Sequence, residues 1–414
     1  MTHNATPVDI ARKTKMATPG LDALRGVRVA RLASVPFFLV SQLQVQVEQL
    51  AAYGMEVQLV SGEGPELSRL HLGPRLRYTA IEFVRPICPW KDIKTLWQLI
   101  LLFARERPEI VHSTTPKTGL LAAIAGFVTH IPVRLHTFTG QPWLHRRGLV
   151  RRLARAADRL IGMLNTRCYA DSHSQRQFLI EEGLIPAAKL CVLGGGSLAG
   201  VDITRFDRNR WTENERQHLR QKFSVGPGAK VILFLGRIAR DKGIQELLTA
   251  FEQLVVEGYD CHLLLVGPSD EECGGESFLL SGAPRAAVRI HAIGYTDCPE
   301  RYLAIADLLC LPSYREGFGT VVIEAAAMGV PTVGTRINGL KDAVVDGETG
   351  MLVEPHDAKA LHEALAMLLS SPDQLSRLGQ AAFERVRRLF DARHVNRLLA
   401  EEYLQLLMHV RHRA

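Results

Sequence analysis

Along the first half of the chain, short β-branched and apolar runs alternate with longer stretches whose apolar positions recur at helical spacing. Residues 27–33, 56–60, 78–84, 109–112 and 133–138 read as strands; 41–54, 92–105 and 117–130 read as helices. Strands separated by helical stretches of about 10 to 15 residues predict βαβ units and hence a parallel sheet. The pattern then restarts. Residues 230–235, 262–266, 288–293 and 308–311 read as short buried strands, with helices at 243–256 and 320–328 and a helical close from about residue 358. Between the halves, 202–228 is polar and carries the turn signal Gly226-Pro227-Gly228, which places a domain boundary there. The expected class is α/β: two Rossmann-like, doubly wound parallel-sheet domains facing a cleft. The expected division is a flexible tail (1–20), an N-terminal domain (21–205), a C-terminal domain (206–389), and a last helix (390–414) packing back on the first. Ligands of such sheets bind outside the carboxyl ends of the strands, so the cleft is the expected site.

Composition narrows the class. With 414 residues, 47% hydrophobic and 22% charged, the chain is neither disordered, collagen-like nor a disulfide miniprotein. The net charge of +7 is modest, so its placement matters more than its size. Seven cysteines, at 88, 168, 191, 261, 273, 298 and 310, form no C-x-x-C pair, which argues against a structural zinc site or a disulfide framework. No apolar run reaches the roughly 18–20 residues of a membrane span. Residues 1–20 lack the apolar core of a secretory signal and read as a frayed tail.

The richest segment runs Tyr314-Arg315-Glu316-Gly317-Phe318-Gly319-Thr320-Val321-Val322-Ile323-Glu324. A buried strand enters a loop with two glycines that opens a helix. Backbone N–H groups at Gly319, Thr320 and Val321 suit a phosphate oxygen, and glycine lets a ligand approach closely. Glu316 sits in the loop and Glu324 about one turn into the helix, so one carboxylate can face a sugar while the other accepts hydrogen bonds from a diol. That spacing alone equally describes two solvated glutamates. A second loop shifts the balance: after the strand and Gly236, Arg237 and Lys242 can converge on a diphosphate, Arg by its fork and Lys as a point charge. No two aspartates flank a single residue, so no D-x-D bridge to a metal exists; nor does a G-x-S-x-G or H-E-x-x-H motif. Residues 194–199 fit a loose dinucleotide fingerprint, but no amphipathic helix follows, and they read as a tight turn.

These stretches, 236–243 and 316–350, resemble the family 4 retaining glycosyltransferases, which have the two-domain glycosyltransferase B fold; the likeness continues through Thr335-Arg336-Ile337-Asn338-Gly339 and 345–353. The N-terminal half, through 111–119 and 196–202, is similar to the branch that builds surface polysaccharides on lipid carriers. The resemblance implies that Arg237 and Lys242 bind the donor diphosphate and neutralise the leaving group. Glu324 would hold the ribose, Glu316 the transferred sugar, and the loop of Gly317, Phe318, Gly319, Thr320 and Val321, with Gly236, the phosphates. Ile293 and Tyr295 would lie by the base. It implies a nucleoside diphosphate sugar donor (a UDP-sugar), hexosyl or N-acetylhexosaminyl transfer with retention by front-face attack, no metal and no other cofactor, and a lipid-linked saccharide acceptor. Two departures stand out. Thr139 occupies the family's frequent His position, with His136 three residues earlier on the other strand face, and Ser34-Val35-Pro36-Phe37-Phe38 replaces a Gly-Gly loop. His136, Thr139, Gly140 and Pro36 are therefore the acceptor-side candidates. Asp342 also replaces a frequent Glu.

One further stretch is unusual. Residues 145–160 hold six arginines and a single acid, Asp158. At helical spacing Leu149, Val150, Leu153, Ala157, Leu160 and Ile161 share one face, expected on the core, while Arg151, Arg152, Arg155 and Arg159 oppose it. That basic helix (146–160) suits an anionic membrane surface, which implies a cytoplasmic protein held peripherally at the inner face. No aromatic-rich module accompanies it, so nucleic acid is not an expected partner. The competing readings are a sugar-nucleotide epimerase or glycogen-type synthase on the same fold, and a non-catalytic sugar-nucleotide or glycan-binding subunit. Retention of Arg237, Lys242, Glu316 and Glu324 together disfavours the last.

Overall fold

The structure, a computed structural model, describes residues 20–84, 86–270 and 282–412; the predicted tail, apart from Gly20, and Cys273 lie outside the described residues. Two parallel sheets form among them. The first has seven strands, β1 (Arg28–Leu32), β2 (Glu56–Ser61), β3 (Leu76–Ala80), β4 (Ile110–Thr114), β5 (Val133–Phe138), β6 (Arg167–Ala170) and β7 (Leu190–Cys191), in the order 3-2-1-4-5-6-7. The second has six, β8 (Lys230–Leu235), β9 (Cys261–Val266), β10 (Ile290–Gly294), β11 (Leu308–Leu311), β12 (Thr332–Thr335) and β13 (Gly350–Val353), in the order 10-9-8-11-12-13. Each sheet reverses its strand order beside its first strand, which opens a crevice at the carboxyl ends.

The central strands are near-continuous apolar runs because helices cover both faces. Val231 to Leu235 and all of β9 are buried. One side of the first sheet packs on the helix Gln44–Ala52 and on the C-terminal helix Ala392–Arg411, whose Leu399, Tyr403 and Leu407 join Val29, Leu50 and Leu59 in one core. The helices Pro89–Glu106, Pro116–Val128 and Gly148–Leu164 pack side by side over the other face. The chain crosses between halves twice, at Val201 and Asp391, which form an isolated bridge. Gly200 is required there: its φ is +68°, and a Cβ would stand 2.5 Å from the Phe390 carbonyl.

Three expectations need correction. The strand expected at 78–84 ends at Ala80, and β10 is a half-buried edge rather than a buried strand, with Val288 exposed in the 3-10 turn before it. The helix expected from Ser41 begins as a π turn, Leu39–Leu43. Strands β6, β7, β12 and β13 carry no periodic signal because they span two to four residues each.

Candidate active site

The exits of β8, β9 and β11 bring three loops together. Gly243 makes the turn after β8 possible, since a Cβ there would come within 2.1 Å of the Pro312 carbonyl at the end of β11. Across this junction Lys242 donates through Nζ to Glu316 Oε1 at 2.5 Å. Arg237 pairs with Asp270 and, at 3.1 Å, with Asp241, whose other oxygen takes Arg315 at 3.2 Å. Burial pushes the Asp241 carboxyl up, but Lys242, Arg315 and Arg237 pull it below its ordinary range. Three cations thus share one small surface with carboxylates that an incoming polyanion can displace.

The helix Thr320–Ala327 opens on this surface, with Gly319 left-handed at its cap. The N–H groups of Gly319, Thr320 and Val321 find no acceptor among the described residues, and such free amides favour an anion. Phe318 turns its ring away, into the core against Phe390 at 5.2 Å, so only its backbone faces the cleft. Glu324 stands one turn in, beside Arg205 and Glu300. Burial, reinforced by the Glu300 charge and opposed by Arg205, raises its carboxyl to about 7. Gly236 has a φ of +151°, reserved for glycine. Ile293 packs against the C-terminal core, and Tyr295 reaches across the cleft to Phe37 (ring centroids 6.1 Å apart) and to Arg69, 3.1 Å from its hydroxyl.

On the facing side the candidates separate. Thr139 and Gly140 reach the C-terminal loop: a Cβ on Gly317 would lie 2.5 Å from the Thr139 carbonyl and 3.1 Å from Asp171 Oδ2. His136 does not. It is buried beneath the helix Pro116–Val128, 3.0 Å from Ser113 Oγ, and burial lowers its pKa to about 3, so it is a neutral core residue. Pro36 is also withdrawn, packed against Gly64, while the neighbouring Phe37 is accessible. The causes differ: strand parity turns His136 into the core, and the tight Gly64 loop covers Pro36 at its helix start.

Sequence reasoning missed Asp171, at the exit of β6. It is buried, its Oδ1 has no partner among the described residues, and burial, opposed by Arg31, raises its carboxyl to about 8. With β6 unread, nothing marked it as a strand-end residue. Asp342, where the family often has Glu, has a role its sequence position does not reveal. It accepts the Ser174 N–H at 3.3 and 3.2 Å, while Gly339 N–H donates to Ser174 Oγ at 2.9 Å, so it ties the two halves together.

Residues 215–385 match the model for glycosyl transferases group 1, and residues 39–196 the glycosyl transferase 4-like domain. The chain is 32% identical over 357 residues to the capsular polysaccharide biosynthesis glycosyltransferase CapM of Staphylococcus aureus, covering 84% of this chain and 89% of that one. The chain is a family 4 glycosyltransferase. Its fold, the glycosyltransferase B fold, is shared with sucrose-phosphate synthase from Thermosynechococcus elongatus (TM-score 0.75, 22% identity, 92% of this chain and 100% of that one). Anabaena HepE, solved with UDP and glucose, is similar too (TM-score 0.74, 17% identity, 91% and 99%).

In this glycosyltransferase the basic helix is rolled away from its expected setting. Asp158 faces inward and accepts the Trp143 indole N–H at 2.6 Å. Arg155 pairs with Glu182 and lies over the Trp143 ring, and Arg159 reaches the Gly183 carbonyl at 3.2 Å. Arg151, Arg152 and Arg159 remain exposed and Ile161 is buried, as expected, whereas Leu149, Val150 and Leu153, expected on the core, are exposed as well. The indole needed an acceptor once buried, and that fixed the roll.

Proposed function

We propose that this glycosyltransferase moves a sugar from a UDP-sugar, with retention, to a hydroxyl of a lipid-linked saccharide during surface polysaccharide assembly. The observation that carries the reading is the Lys242–Glu316 pair at the mouth of the helix Thr320–Ala327, beside Arg237 and Arg315. A diphosphate takes Lys242 and Arg237 from their carboxylates, and the freed Glu316 turns to the sugar. The amides at Gly319 to Val321 take a phosphate, and Glu324 the ribose diol. Charge building on the leaving phosphate is met by fixed cations and amides, in place of a divalent ion. With no protein nucleophile among the motifs, attack comes from the side of the departing phosphate, which takes the acceptor proton. Residues 21–205 supply the acceptor side, 206–389 the donor side, and 390–414 fasten the two. The printed name of the S. aureus relative supports the polysaccharide setting, and the HepE complexes support UDP. A lipid-linked acceptor places the enzyme at the cytoplasmic membrane face. The test is UDP release from a panel of UDP-sugars in EDTA, with and without lipid extract. Acceptor-dependent release supports the reading; release unchanged by lipid refutes the acceptor class.

A further inference from the structure

We propose that the glycosyltransferase rests on an anionic bilayer through the outer surface of the helices Pro89–Glu106 and Gly148–Leu164, with Trp90 and Trp97 as its anchors. The proposal rests on the lipid-linked acceptor reading and moves the contact from an arginine face to an aromatic one. The helix Pro89–Glu106 is apolar on two opposite sides. Thr95, Leu99 and Phe103 face the sheet and are buried. Trp90, Ile93, Trp97 and Leu101 recur at i, i+3, i+7 and i+11 on the other side and stand 83%, 47%, 60% and 64% exposed. An exposed apolar stripe of this size marks an interaction surface, and none of the described residues covers it. Beyond the intervening helix Pro116–Val128, on the third member of the layer, Gly148–Leu164, Leu149, Leu153 and Met163 are exposed as well.

The charges point to the occupant. Lys91, Lys94, Arg105, Arg146, Arg147 and Arg152 are exposed around these apolar positions. The acids of the two helices are otherwise engaged: Asp92 holds Lys117 at 2.6 Å, Glu106 holds Arg105 at 3.2 Å, and Asp158 is buried against Trp143. A second copy seated here through two-fold symmetry would set like charges against like. An anionic headgroup layer matches the cations, and indole rings sit well at its boundary with the acyl chains. No helix among the described residues is long and apolar enough to cross a membrane, so the contact is lateral. The two helices begin where the chain leaves β3 and β5, at the end of the sheet where Thr139 and Gly140 meet Gly317. A lipid-held acceptor therefore reaches the cleft without leaving the bilayer.

The test is flotation of the full chain with vesicles of phosphatidylglycerol and phosphatidylcholine, against phosphatidylcholine alone. It compares wild type with Trp90→Ala/Trp97→Ala. Wild type is expected to float with the anionic vesicles only, and the tryptophan pair to bind about tenfold less with an unchanged melting temperature, since affinity follows buried apolar area. Brominated lipids are expected to quench fluorescence in wild type and not in the tryptophan pair, where buried Trp143 and half-buried Trp211 remain. Equal flotation of the tryptophan pair and wild type overturns the proposed surface and leaves the lipid-linked reading standing. Wild type that fails to float overturns both. A wild-type dimer in sedimentation, abolished in the tryptophan pair, assigns the surface to a second copy and overturns the proposal.

Discussion

The Lys242–Glu316 pair makes a prediction that separates folding from chemistry. The two side chains are 18% and 16% exposed, with nitrogen and oxygen 2.5 Å apart. Their attraction at an effective dielectric near 20 is about 7 kcal/mol, but desolvating both ions offsets most of it. The cost of breaking the pair comes from stranding the survivor. A fully buried lone charge costs about 3 to 5 kcal/mol, and the partial exposure here lowers that to about 2. Lys242→Met and Glu316→Met are each expected to lose about 2 kcal/mol in urea unfolding, and the double variant only about 1, a coupling of about 3. Activity follows another rule. Losing a charge-assisted contact to the leaving phosphate costs about 1.5 to 3 kcal/mol, roughly ten- to hundredfold in turnover. UDP release should therefore be low in all three variants, including the refolded double. Additive stability losses would refute the coupled pair, and full activity in the double would refute its role at the phosphates.

Two titrations give further checks. Glu324, raised from 4.5 to about 7, must be ionised to accept two ribose hydrogen bonds. UDP affinity should weaken as pH falls below 7, by up to about tenfold per pH unit, and Glu324→Gln should flatten the profile; an unchanged slope in that variant would contradict the assignment. Asp158 is raised from 3.8 to about 6, chiefly by burial. Because the folded state holds its proton more tightly, the stabilisation is complete below pH 3.8 and is lost as pH rises through 6, about 3 kcal/mol in all. The stability difference between wild type and Asp158→Asn should shift toward the variant over that window, and a pH-independent difference would sink the assignment.

Strands β5, β8 and β11 were legible to the residue because buried parallel strands are continuous apolar runs bounded by turns. Strand β12, Thr332–Thr335, was not, since its burial comes from its neighbours and not from its own pattern. The glycine-bearing loops at the exits of β8 and β11 were readable because glycine spacing and charge lie close together in sequence. The facing side was not: Asp171, Arg69 and Asp342 meet their partners over long sequence separations, and no local pattern records that. Helix periodicity also misplaced the roll of Gly148–Leu164, because it weighed Leu149 and Leu153 but not the indole that demanded Asp158.

On the proposed reading, fixed cations and helix amides hold the pyrophosphate without a divalent ion. Calorimetric titration of UDP into the full chain in EDTA tests it directly. Binding to wild type is expected that magnesium does not strengthen and that Lys242→Met weakens at least tenfold, about 1.4 kcal/mol. UDP that binds only once magnesium is restored, or that binds wild type and Lys242→Met alike, contradicts it.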